Sequence, residues 1–171
     1  MKFSIVYTVT LFLFSTILHA QNTEEEVMKI YREREKLERI NDVYIPKDIQ
    51  EAMTELDRLT DDAKAKKLIS SPEDTIASKL HFSLGRWMQI HWGLEEGSRL
   101  MAYLKSRGLS FPDDMADLLI RCWYRHLCLR PLQDDLLIGH YITKRKQQHL
   151  DRLRKSERNH PSPHPKEEHR E

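Results

Sequence analysis

His81, Arg86, His91, Arg99, Arg125 and His126 are basic side chains set among apolar neighbours in the middle of the chain. A buried or half-buried cation needs an acceptor, and the paired carboxylates Asp113 and Asp114 are the natural partners, standing where a helix start would favour negative charge. Two chemistries fit this set. In the first, the groups form structural ion pairs and caps. In the second, Arg99, Arg125 and His126 line a cleft that holds the anionic group of a ligand or partner, with Asp113 and Asp114 beside them and Trp92 as an aromatic wall.

Catalysis has thinner material. A hydrolase needs a nucleophile, and Ser98 with His126 or His81 is the candidate, although no nucleophile-elbow pattern surrounds it. The enzyme reading stands only if Ser98 or Cys122 lies within hydrogen-bond reach of a histidine in a concave pocket. Cys122 and His126 are one helical turn apart and could offer two metal ligands, but no HExxH and no paired CxxC completes a set. No metal or cofactor is expected. His149, His160, His164 and His169 belong to a solvated tail.

The element that positions most of these residues is Ser71 to Leu100. Ser71 is placed as an N-cap, Pro72 at the first helical position and Asp74 where a capping-box acid stands. Ile76, Leu80, Leu84, Trp87, Met88 and His91 then recur at steps of three and four, giving one apolar stripe, and Gly93 ends the helix. At about 30 Å such a helix crosses a small domain and is expected to be its spine. Trp87 lies in the stripe and should be buried. Trp92, five residues on, is rotated by about 140° and should be partly exposed near Arg99.

Before it, Thr23 and Glu26 open a charged segment with Val27, Ile30, Tyr31, Leu37 and Ile40 as sparse apolar positions, either an exposed helix on a thin stripe or a frayed leader. Val43-Tyr44-Ile45-Pro46 is extended. A short helix follows with Ile49, Ala52, Met53, Leu56 and Leu59 inward, then a second one capped by Thr60. Beyond the spine, Ser98 caps a helix carrying Leu100, Met101, Tyr103 and Leu104, which Gly108 stops. Ser110, Pro112 and Asp113 open another, with Met115, Leu118, Leu119, Cys122, His126 and Leu129 facing the core. Leu132, Leu136, Leu137 and Tyr141 mark the last helix, extending to about Arg158 before a disordered tail.

The 171 residues are 39% hydrophobic and 32% charged with a net charge of +1, so the composition suits a helical globular domain and gives no basic face for nucleic acid. Lys2, the uncharged run from Phe3 to Leu18 and Ala20 before Gln21 form a signal-peptide pattern, and the run is short against the ~20 residues of a membrane span. Cleavage after Ala20 and export, to the periplasm or the medium, are expected, with no stable span left. Export would permit a disulfide, but Cys122 and Cys128 would stand about 9 Å apart along one helix. Cys122 reads as a core thiol and Cys128 as a free or interface one.

The segments IPKDI, LHFSLGRW, WGLEEGSRL, FPDDM and YRHL, between Tyr44 and Leu132, resemble a bacterial family of domains of unknown function with two spaced tryptophans. The resemblance implies a compact helical domain, and with the Ala-Gln junction it is similar to exported proteins of the Bacteroidota; it implies no activity. Trp87, Trp92, Gly93, Gly97, Ser98, Asp113, Asp114, Arg125 and His126 match that pattern. Gln89 and Ile90 replace its Arg-Asn pair, and Cys128 and Leu129 its Asn-Gly.

The expectation is therefore an all-α protein of five to seven helices: a signal peptide over 1–20, a charged helical leader over 21–42, a helical domain over 43–142 and a charged extension with tail over 143–171. Its expected function is non-catalytic binding of an envelope protein or anionic ligand through Trp92, Arg99, Arg125, His126, Asp113 and Asp114. A small periplasmic hydrolase using Ser98 is the alternative.

Overall fold

The computed structural model describes residues 25–159, so the signal-peptide pattern and the proline- and histidine-containing tail lie outside the described residues. The described chain divides into two units, one ending at Leu132 and one beginning at Gln133. Both are helical, and the fold is all-α apart from one small hairpin.

The first unit opens with helix α1 over 25–34. Strands β1 (Arg39–Ile40) and β2 (Val43–Tyr44) then pair antiparallel, Arg39 opposite Tyr44 and Ile40 opposite Val43. The link, Asn41-Asp42, has both φ values positive, 48° and 63°, the geometry a two-residue hairpin turn requires and these residue types tolerate. The charged helix expected to reach Ile40 therefore stops short of it. Its contact is also polar where an aliphatic stripe was expected. The Tyr31 hydroxyl donates to the Glu95 carbonyl (2.7 Å) and Arg34 Nε to that of Gly97 (3.0 Å), while Val27 and Ile30 are exposed. Gly97, at φ 97°, lies so close under the Tyr31 ring that a Cβ there would come within 2.7 Å of it.

Helix α2 (Ile49–Leu59) is capped by Asp48, whose carboxylate accepts the Glu51 N–H at 2.8 Å, and buries Ile49, Ala52, Met53 and Leu56 but not Leu59. Helix α3 (Asp62–Leu68) is capped by Asp61 and not Thr60, and buries none of its residues. Next comes one unbroken helical path made of α4 (Glu73–Leu80), a π-helical turn (His81–Gly85) and α5 (Arg86–His91). Pro72, without a side-chain bond, occupies the cap position expected of Ser71, whose carbonyl instead accepts the Tyr124 hydroxyl at 2.8 Å. In the π turn the Arg86 N–H reaches the carbonyl of His81, five residues back.

That extra residue per turn rotates everything after it by about 100°. The inward set becomes Ile76, Ala77, Gly85, Met88, Gln89 and Trp92. Trp92 is fully buried at 0% exposure, while Trp87 is half-buried, stacked on His91 (4.8 Å) and edge-on to Trp92 (5.7 Å). This reverses the expected roles of the two tryptophans. The helix ends as expected at Gly93, φ 63°, where the Leu94 N–H returns to the Gln89 carbonyl at 3.0 Å.

Helix α6 (Arg99–Ser106) is capped by Ser98 as expected, buries Leu100, Met101 and Leu104, and closes at Gly108. Helix α7 (Pro112–Leu127) follows with proline in its first turn. Met115, Ala116, Leu118, Leu119, Ile120, Cys122 and Trp123 are buried around most of its circumference, and α2, α4, the π turn and α5 all pack on it. The spine of the unit is thus α7 and not the helix before it. Its last turn departs from expectation, because His126 is 41% exposed and Leu129 94% exposed. Neither Cys122 nor Cys128 is in a disulfide, and Cys122 is buried.

The second unit is helix α8 (Asp134–Asn159), with Asp134 and Asp135 in its first turn and Arg158 in its last, matching the helix dipole at both ends. Asn159 is also the last described residue, so the expected limit near Arg158 and the tail beyond it lie at and outside the edge of the described residues.

Candidate functional site

The arginines expected to meet at one anion site are distributed over different carboxylates. Arg99, its side chain 17% exposed, donates Nε to the Ile45 carbonyl (2.6 Å), approaches Glu51 at 3.4 Å and stacks 5.1 Å over the Tyr44 ring. Burial alone would raise the Glu51 carboxyl, but the Lys47 N–H, the Tyr44 hydroxyl and the Lys47 ammonium outweigh it and hold it below its ordinary value. Burial first, then the hydrogen bond to Glu51 and the charge of that carboxylate, push the Tyr44 phenol up. This cluster fastens the hairpin and α2 to the start of α6.

Arg125, at the other end of the unit, grips Glu73 with Nε at 3.0 Å and Nη2 at 2.9 Å, and donates Nη1 to the Leu132 carbonyl at 2.8 Å. Glu73 also faces Arg121 (3.6 Å) and Arg130 (3.8 Å), while Asp74 and Asp117 receive Arg121 at 2.7 and 2.8 Å. His126 Nε2 meets Asp57 Oδ2 at 2.8 Å, and the other oxygen of Asp57 accepts the Trp123 indole N–H at 2.9 Å, so one carboxylate ties α2 to α7.

Asp113 accepts the Gln89 amide at 2.8 Å with His81 at 3.9 Å, and Asp114 is buried. Gln89 links Asp113 to Arg86, whose Nη1 donates to its carbonyl oxygen at 2.9 Å. Trp92 offers no exposed wall, and its indole N–H is buried without an acceptor. Of the expected residues, Gln89-linked Asp113 sits near the start of α7, Arg125 and His126 near its end, and Arg99 on α6.

Ser98 Oγ is spent as the acceptor of the Met101 N–H at 3.1 Å in a residue of 0% exposure, and no histidine is among its hydrogen-bond partners. Among the described residues no three His, Cys, Asp or Glu side chains gather as a metal site would require.

What the sequence did not single out is a groove of about 450 Å³ between the end of α2, α3, α4, the π turn and α7. Its apolar lining comes from Leu68, Ile76, Leu80, Leu84 and Trp123, and its polar lining from Thr60, Ser70, Ser71, Lys64, Lys67 and Lys79. No carboxylate lines it. The Trp123 N–H is already bound to Asp57, so the ring can present only carbon to the groove. Leu80, the last residue of α4, and Leu84, within the π turn, lie off the inward set and are half-buried. Lys64 pairs with Asp61 at 3.0 Å, whereas the exposed Lys67 and Lys79 have no ion-pair partner among the described residues. The legible signal was the run Lys64-Ala65-Lys66-Lys67, basic and without an inward apolar face.

A family model described as a domain of unknown function (DUF6794) matches residues 45–127, which takes in the stretch from Ile45 to the end of α7 and every lining residue of the groove. No curated protein and no solved structure matches the chain. Among the described residues no helix is long and apolar enough to cross a membrane.

Proposed function

We propose that this chain is an exported, non-catalytic helical module of the bacterial envelope, and that it binds its ligand in the groove edged by Lys67 and Lys79. One observation carries the reading: an apolar recess of about 450 Å³, within the ~300–1,000 Å³ of small-molecule sites, is edged by hydroxyls and three lysines, of which Lys64 pairs with Asp61 while Lys67 and Lys79 have no ion-pair partner among the described residues. Such a recess costs hydration of apolar side chains and leaves charge unneutralised, and a ligand relieves both. In this reading Arg99, Arg125, His126, Asp113, Asp114 and Trp92 form the frame: their bonds fix α2, α6 and α7, and α2 and α7 are walls of the groove. Export rests on Lys2, the run Phe3–Leu18 and Ala20. The hydrolase alternative draws nothing from Ser98, whose hydroxyl is a buried cap.

The test has two arms. Intact mass of the protein recovered after expression from the full reading frame should begin at Gln21, and retention of Met1 in a membrane fraction would overturn export. Chemical-shift mapping against a set of small amphiphiles should perturb Leu68, Ile76, Leu80 and Leu84 together. Perturbation confined to other residues, or none across the set, would overturn the groove as the binding site.

A further inference from the structure

We infer that the occupant of this groove is a single-chain anionic amphiphile taken up as a monomer, a fatty carboxylate whose chain lies on Leu80, Leu84 and Trp123 and whose headgroup meets Lys67 and Lys79. The inference rests on the groove being the binding site. At about 30 Å³ per water-sized group, 450 Å³ holds on the order of 15 such groups, the size of an alkyl chain of about ten carbons with its headgroup.

Charge chooses the headgroup. Three lysines and no carboxylate line the recess, and of these Lys67 and Lys79 are exposed with no ion-pair partner among the described residues. Next to them, the Thr60 and Ser71 hydroxyls have no hydrogen-bond partner among the described residues, so donors for carboxylate oxygens converge from the end of α2 and the turn before α4. Shape chooses the tail. Leu68, Ile76, Leu80, Leu84 and the carbon face of Trp123 give a lining with no polar group to satisfy, which suits methylenes at ~0.8 kcal/mol each.

Entry is provided by α3. This seven-residue helix buries none of its residues, and only Leu68 and Ala65 are even half-buried, so little packing opposes its displacement. A folded protein partner fits less well, since stable protein interfaces bury about 800 Å² on each side and favour broad surfaces over a small recess.

Calorimetric titration of the purified protein with decanoate, decyltrimethylammonium and decyl glucoside tests this, each below its micelle concentration, with methyl NMR reporting Leu80 and Leu84. Decanoate should bind at one site and at least tenfold more tightly than the other two. Lys67→Glu with Lys79→Glu, both exposed positions, should weaken decanoate at least tenfold with an unchanged thermal midpoint and leave decyl glucoside unaffected. Added salt should weaken decanoate alone. Equal binding of all three headgroups would overturn the anionic assignment while leaving the groove as a site. Absence of binding by any of them would overturn the groove reading as well. Phosphatidylglycerol vesicles or an acidic amphipathic peptide displacing decanoate at lower concentration than a free fatty acid would overturn the single-chain monomer.

Discussion

Trp92 gives a quantitative test of the packing. Its side chain is 0% exposed, edge-on to Trp87 at 5.7 Å, and its indole Nε1 is buried without an acceptor. Trp92→Ala removes the whole ring from the core and should cost ~3–5 kcal/mol, a large share of the ~5–15 kcal/mol that holds a typical domain folded. Trp92→Phe is a different perturbation, because two terms oppose one another. Loss of the pyrrole portion leaves a void of about 40 Å³, which at ~24 cal/mol per Å³ is ~1 kcal/mol, and the lost transfer energy adds about as much again. Against this, the phenylalanine no longer buries an unsatisfied donor, which returns ~1–3 kcal/mol. The phenylalanine variant should therefore lie within about 1 kcal/mol of the parent. Urea denaturation with an unchanged slope measures both. A loss of ~3 kcal/mol or more for Trp92→Phe would mean that the N–H has a partner, and a loss under ~1.5 kcal/mol for Trp92→Ala would remove Trp92 from the core.

Leu129 occupies the left-handed position after α7 at φ 54°, 94% exposed, so Leu129→Gly should raise stability by ~0.5–1 kcal/mol, read as a higher thermal midpoint; a fall would show that the side chain holds something. Ser98→Ala should cost ~1 kcal/mol as a lost cap in chemical denaturation, whereas loss of an esterase activity at unchanged stability would return Ser98 to the role of nucleophile. Glu51 has its folded pKa below the unfolded value, so its contribution is complete above about pH 4.3 and is lost as pH falls through the folded value. Glu51→Gln should accordingly flatten the stability decline below pH ~4, and an unchanged acid limb would sink that assignment.

Local signals settled most of the helices. Gly93 and Gly108 end α5 and α6 through the left-handed conformations that glycine alone adopts freely, Ser98 caps α6, and the inward sets of α2, α6 and most of α7 follow helical spacing. Leu129 shows the same geometry enforced without glycine: its N–H returns to the His126 carbonyl at 2.9 Å and that of Arg130 to Arg125 at 2.9 Å.

Composition and periodicity by themselves determined that the chain is helical, that α5 and α6 end at Gly93 and Gly108, and that Ile49, Met53, Leu56, Leu100, Leu104, Leu118 and Leu119 meet in the core, because capping and burial of a stripe depend on neighbours within one or two turns. Tertiary structure alone decided the rest. The single extra residue in the π turn exchanged Trp87 for Trp92, since a 3.6-residue repeat cannot register an insertion that only packing against α7 stabilises. Partner choice was equally invisible: Arg125 bonds Glu73, fifty-two residues away, and His126 meets Asp57, sixty-nine away. The groove sets the half-buried Leu80 of α4 and Leu84 of the π turn beside the lysines of α3, a helix that buries none of its residues. No one-dimensional pattern contains that juxtaposition, because it joins five elements whose separations are set by the fold.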